Sequence, residues 1–123
     1  MLDDERFLLD IYRMSFEKHG FSVRTFRNVD DALAALRGGF NPDVMLFDIT
    51  MPDSRSGYEF IESVKREGLA PRNLSIALTN AGQDGAIHRI MELGADAHLL
   101  KADYLPAQIV ETGEMMLADK PKA

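Results

Sequence analysis

Five polar residues stand where a short apolar run ends. Asp48 closes Val44-Met45-Leu46-Phe47, Thr79 closes Ser75-Ile76-Ala77-Leu78, and Lys101 closes His98-Leu99-Leu100. Asp3 and Asp4 follow Met1 and Leu2. Three carboxylates brought together repel one another and need a cation. All-oxygen ligation without Cys or His suits Mg²⁺, which keeps several waters and takes one or two carboxylates plus phosphate oxygens. A carboxylate can also serve as a nucleophile that forms an acyl phosphate. A lysine and a metal would then neutralise the transferring phosphoryl group, and a hydroxyl would take one of its oxygens. The competing readings are local. An Asp after a strand is a common turn-former, and acids at a helix start are favourable charge. Which reading holds depends on whether the fold gathers the five groups.

The elements that must position them alternate regularly. Residues 5–19 carry Phe7, Leu8, Ile11, Tyr12 and Phe16 at helical spacing, and Gly20 stops them. The stretch 21–26, FSVRTF, alternates as a strand. Asn28 and Asp31 resemble a capping box that opens a helix, which runs to Gly38-Gly39. The continuous run 43–47 predicts a strand buried on both faces, and 74–78 predicts a second. Helices are expected over 57–67, from 84 to 93 and over 106–118, with a short strand at 97–100. Strands alternating with helices at this spacing predict a parallel sheet with helices on both faces. In such a sheet, ligands bind beyond the carboxyl ends of the strands. The five polar groups therefore share one sheet edge. The element that is missing is a strand before the first helix. Only Met1 and Leu2 precede the acid pair.

Composition excludes several classes. The 123 residues fit one domain, with 46% apolar residues to build its core. The formal net charge of −6 argues against nonspecific binding to nucleic acid or an anionic membrane. No cysteine is present, so disulfides and thiolate metal sites are excluded, and a reducing cytoplasmic location is expected. No apolar run approaches the roughly 20 residues of a membrane span, and no basic leader followed by an apolar stretch opens the chain.

The residues DDE (3–5), PDVMLFDITMP (42–52), ALTN (77–80), ELGAD (92–96) and LLK (99–101), in this order, resemble the receiver domain of bacterial response regulators. Asp3 and Asp4 precede Asp48 by 45 and 44 positions, as in that family. The resemblance implies a flavodoxin-like, doubly wound α/β fold with a five-stranded parallel sheet of order 2-1-3-4-5, over residues 1–118, with 119–123 a frayed tail. It implies that Asp48 is the phosphoacceptor, that Asp3 and Asp4 hold Mg²⁺ with Asp48 and the backbone carbonyl of Thr50, and that Thr79 and Lys101 act on the phosphoryl group. Thr79 and His98 would form the switch that changes the face made by the fourth helix, last strand and last helix. The implied partners are a sensor histidine kinase or phosphotransfer protein and a downstream protein, with the domain a monomer or weak homodimer. Such a domain catalyses its own phosphorylation and dephosphorylation. With no output domain after residue 118, the expectation is a stand-alone or excised receiver.

The chain departs from the family pattern at four places. The loop 52–57, PDSRSG, is one residue longer than the commonest form. Ala102 follows Lys101 where the family usually has a cis proline. A cis bond to alanine would cost about 2.5–4 kcal/mol, so a trans bond or a rearranged loop is expected. Asn80 follows Thr79 where a small residue is common, and His98 stands where Tyr or Phe is usual. Two other functions compete. One is a receiver-like interaction module that is never phosphorylated. The other is an FMN-binding flavodoxin-like protein, which needs a Ser/Thr/Gly-rich phosphate loop where this chain has DDERF. Finally, the strand expected before Asp3 is internal in the order 2-1-3-4-5. The natural polypeptide is therefore expected to begin upstream of Met1, and the chain as written to show a gap between its second and third strands, a borrowed strand or a closed-up rearrangement.

Overall fold

The computed structural model describes residues 1–51, 55–79 and 84–119. Three parallel strands lie side by side in chain order: β1 (Val44–Asp48), β2 (Leu74–Thr79) and β3 (Ala97–Leu100). Asp48 stands opposite Leu78, and Thr79 opposite Leu100. On the free side of β1, Leu2 bridges Phe47 and also Phe26, both in parallel sense. The lateral sequence is thus Phe26, Leu2, β1, β2, β3. Three of the five expected strands form, and single bridges at Leu2 and Phe26 stand where the other two were expected.

The alternation over 21–26 predicts a strand, and here the structure corrects the sequence. Only Phe26 pairs; residues 21–25 join no ladder. A strand needs a neighbour to take its amides and carbonyls. The neighbour available is Met1–Asp3, and it reaches only the end of the segment. The Met1 amino group donates to the Arg24 carbonyl (2.8 Å), Phe26 N–H donates to the Met1 carbonyl (2.8 Å), and Asp3 N–H donates to the Phe26 carbonyl (3.1 Å). A cleft of about 460 Å³ lies between residues 21–24 and Val44–Leu46.

Among the described residues five helices cover the sheet: α1 (Arg6–Lys18), α2 (Val29–Arg37), α3 (Gly57–Glu67), α4 (Asp84–Glu92) and α5 (Pro106–Asp119). Successive strand residues face opposite layers. Leu46, Ile76, Leu78 and Leu99 pack with Tyr12 and Phe16 of α1 and Ile109 and Val110 of α5. Met45, Phe47 and Ala77 pack with Leu33 of α2, Ile61 and Val64 of α3 and Ile90 of α4. This is why β1 and β2 read as unbroken apolar runs. Each buried Leu, Ile or Val side chain contributes about 1.5–3 kcal/mol. Local signals set the helix ends. Asn28 Oδ1 accepts from Asp31 N–H (2.8 Å) while its Nδ2 donates to Asp31 Oδ2 (3.0 Å). Gly68 closes α3 at φ +65°, where a side chain would be strained. Among the described residues no helix is long and apolar enough to cross a membrane.

Candidate functional site

The strand register gathers the polar residues before any side chain is considered. Leu2 bridges Phe47, so Asp3 lies beside Asp48; Thr79 pairs with Leu100, so Lys101 emerges beside Thr79. At this edge Lys101 Nζ donates to Asp3 Oδ2 (2.7 Å) and to Asp48 Oδ2 (3.0 Å). Asp3 and Asp48 are only 2% and 4% exposed, so the bridge joins two buried carboxylates through one ammonium. Both acids are also held by backbone. Thr50 N–H donates to Asp48 Oδ1 (3.1 Å), and Glu5 N–H donates to Asp3 Oδ1 (3.0 Å). Asp3 is therefore a helix-start residue and a site residue at once. The two readings of the acid pair do not compete here.

Asp4 completes the cluster. Asp3, Asp4 and Asp48 each offer a carboxylate oxygen, and the three oxygens lie within 4.8 Å of one another. Burial raises the Asp48 carboxyl above its ordinary range and outweighs the opposing pull of Lys101. Asp4 is also raised, first by burial and then by the charge of Asp3. Burial alone would lower the Lys101 ammonium, but its hydrogen bond to Asp3 and the charges of Asp48 and Asp3 leave it raised. Thr79 is 1% exposed, and its hydroxyl is the one buried side-chain polar atom among the described residues with no hydrogen-bond partner. A buried hydroxyl left unpaired costs stability, so this group is available to a ligand oxygen.

The remaining expected residues are placed as follows. His98 is half-buried on β3, paired with Ala77 of β2. No peptide bond among the described residues is cis, and Lys101–Asp103 form a 3₁₀ turn, so Ala102 follows Lys101 through the expected trans bond. Asn80 and residues 52–54 of the longer loop lie outside the described residues.

Two residues at the site were not singled out by the sequence reading as site residues. Gly57 opens α3 directly against the backbone after Asp48. A Cβ there would meet the Asp48 carbonyl oxygen at 2.5 Å and Ile49 Cα at 2.7 Å, and Gly57 N–H donates to the Ile49 carbonyl (2.9 Å). The signal was a glycine just inside a helix start, where neither a stop nor a cap calls for one. Tyr12, read only as core, is buried on α1 near enough to feel the charges of Lys101, Asp3 and Asp48. Nothing in its spacing distinguishes it from its apolar neighbours.

The donor set fits a hard divalent cation. Its atoms are all oxygen, and among the described residues the three carboxylates face a single ammonium. Comparison with known proteins bears on the family. The family model described as response regulator receiver domain matches residues 1–111. The response regulator SaeR of Staphylococcus epidermidis is 31% identical over the whole chain, which covers 51% of that protein. The phosphate regulon transcriptional regulatory protein PhoB of Escherichia coli is 28% identical over 89% of the chain, which covers 47% of it. The chain thus spans about half the length of these relatives. Among solved structures, a CheY-like receiver domain protein from Methanospirillum hungatei superposes with a TM-score of 0.84 at 25% identity, over 96% of this chain and 90% of that one. The chain belongs to the response regulator receiver domain family.

Proposed function

We propose that this domain accepts a phosphoryl group on Asp48 from a sensor histidine kinase or phosphotransfer protein in the cytoplasm. The supporting observation is the bridge from Lys101 to two buried carboxylates beside a buried, unpartnered Thr79 hydroxyl. In the reaction, an Asp48 carboxylate oxygen bonds to phosphorus. The bond from phosphorus to the donor's imidazole nitrogen breaks, and that nitrogen keeps the electron pair. Lys101 stands where negative charge accumulates on the phosphoryl oxygens, and Thr79 donates its hydroxyl hydrogen to one of them. Asp3, Asp4, Asp48 and the Thr50 carbonyl would hold Mg²⁺. When bound, the ion supplies positive charge opposite the phosphoryl oxygens. Hydrolysis of the acyl phosphate at the same site resets the domain.

The readout follows from the same residues. A phosphoryl group on Asp48 draws the Thr79 hydroxyl toward it, and His98 on the neighbouring strand follows. That movement alters the face made by α4, β3 and α5, which a downstream protein reads. A local charge change thereby biases a two-state element.

Acetyl phosphate with Mg²⁺ should add one phosphate to the chain, detected by intact mass, and Asp48→Asn should take none. Labelling that persists in Asp48→Asn would remove Asp48 as the acceptor. Absence of labelling in the unaltered chain would favour the unphosphorylated interaction module.

A further inference from the structure

The start of α3 is held from two sides. Toward α2, Arg55 meets Asp30 at 2.9 Å, with both side chains exposed. Toward α4, the Arg89 guanidinium carbon stands 4.1 Å from the centre of the Tyr58 ring. Side chains of a helix lean toward its amino end, so Arg89 in the last turn of α4 reaches back toward the start of α3. Its neighbour Ile90 is fully buried, which fixes α4 against the same core layer that takes the ring of Tyr58. Arg89 forms no ion pair among the described residues, so the ring face is the partner that holds its charge.

The same start of α3 sets the backbone of Asp48. Tyr58 follows Gly57, whose N–H donates to the Ile49 carbonyl (2.9 Å) and where a Cβ would meet the Asp48 carbonyl oxygen at 2.5 Å. With glycine at this point, backbone rests on backbone. A shift of Tyr58 is therefore passed to the Asp48–Ile49 peptide with no flexible side chain to absorb it. A second contact between α3 and α4 lies at the far end of both helices. There the stem of Lys65 packs on Gly94, where a Cβ would meet Lys65 Cε at 2.9 Å.

We propose that Arg89 is a positioning residue for Asp48. Its stack on Tyr58 holds the start of α3 against the Asp48–Ile49 peptide, and so fixes the backbone that aims the acceptor carboxylate. This role rests on Asp48 being the phosphoacceptor; the clamp itself has a readout that needs no phosphate. An exposed cation–π contact shifts an equilibrium by about two- to fivefold. The stack therefore tunes the acceptor geometry and does not create it.

The test measures amide hydrogen exchange at Gly57 in the full chain, which reports opening of the α3 start, beside the rate of labelling by acetyl phosphate with Mg²⁺. At about 0.5 M NaCl the exposed Arg55–Asp30 pair is screened and the stack carries the hold. Arg89→Gln and Tyr58→Leu should each raise Gly57 exchange about two- to fivefold and slow labelling by a similar factor. The double variant should lose no more than either single one, since both remove the same contact. Arg89→Lys keeps the cation and Tyr58→Phe keeps the ring, so each should recover most of the loss. Lys65→Ala loosens the far end and should leave Gly57 exchange and labelling unchanged. Three results would overturn the proposal: Gly57 exchange or labelling unmoved in both Arg89→Gln and Tyr58→Leu, additive losses in the double variant, or an equal effect from Lys65→Ala. A chain that takes no phosphate in any form would end the phosphoacceptor reading instead, and Gly57 exchange would still decide the clamp.

Discussion

Lys101 is the residue on which the charge balance of the site turns. It stands between two buried carboxylates whose own solvation is lost, so the ammonium substitutes for water as well as for a counterion. Lys101→Ala would leave Asp3 and Asp48 buried without that partner. The expected cost is about 3 kcal/mol at pH 7, since breaking a buried pair exposes the surviving charge to a medium that does not solvate it. The sign with pH follows. Without Lys101, the burial that already raises the Asp48 carboxyl goes unopposed, so the folded variant holds more protons than the unfolded chain. Its deficit should shrink as pH falls from 7 toward 4, and added Mg²⁺ should also reduce it. Urea melts of both proteins across that range measure this. A deficit unchanged from pH 7 to pH 4 would mean that the site charges contribute nothing to stability. These residues were legible because each ends an apolar run, a property of sequence alone. Their pairing was not: whether Lys101 meets Asp3, Asp4 or Asp48 depends on strand register and on which carboxylate oxygens the amides of Glu5 and Thr50 already hold.

At the scale of elements, two glycines that look alike in sequence have opposite roles. Gly57 lets the start of α3 press on the backbone that follows Asp48, whereas Gly85 in α4 has open space where a Cβ would go. Gly57→Ala should therefore cost about 1–3 kcal/mol and slow phosphorylation of Asp48, because the clash is with backbone and cannot relax by a side-chain turn. Gly85→Ala should stabilise by roughly 0.5–1 kcal/mol, the usual gain in a helix, and leave the rate unchanged. Thermal melts and acetyl phosphate labelling of the two variants separate these effects. An unaffected Gly57→Ala protein would show that α3 can move away without disturbing the site. Helices and buried strands were legible to within a residue or two, because caps such as Asn28 and stops such as Gly68 and Gly94 act locally. The segment 21–26 was not, for a reason that alternation cannot carry. Period two identifies faces, whereas a strand also needs a partner for its backbone, and beyond the Arg24 carbonyl, which accepts from the Met1 amino group, residues 22–25 join no ladder.

For the whole molecule, the sheet is one well-formed layer of three strands, and a single thin rung joins Phe26 to it. Helix packing buries both faces of β1 and β2, while Met1–Asp3 alone ties the 21–26 segment to the rest of the sheet. The chain's own amino group is built into that rung, bonded to the Arg24 carbonyl at 2.8 Å. Burial lowers it from the ordinary value of 8.0 to about 5, because the ammonium loses its water and gains one carbonyl in return. The linkage is the reverse of an acid's. Between pH 5 and pH 8 the unfolded chain carries a proton on this nitrogen and the folded chain does not, so unfolding takes up a proton and stability rises with pH. The slope from this group alone approaches about 1.4 kcal/mol per pH unit within the window and vanishes above pH 8. Acetylating the nitrogen leaves an amide N–H that can still donate to Arg24 and removes the charge. The acetylated chain should therefore be more stable at pH 6 and lose this part of the pH dependence, while both chains converge above pH 8. Melts of the free and acetylated forms at pH 5.5, 7 and 8.5 test it. Parallel pH profiles for the two forms would show that the amino group is solvated and that the rung contributes little to holding the sheet together.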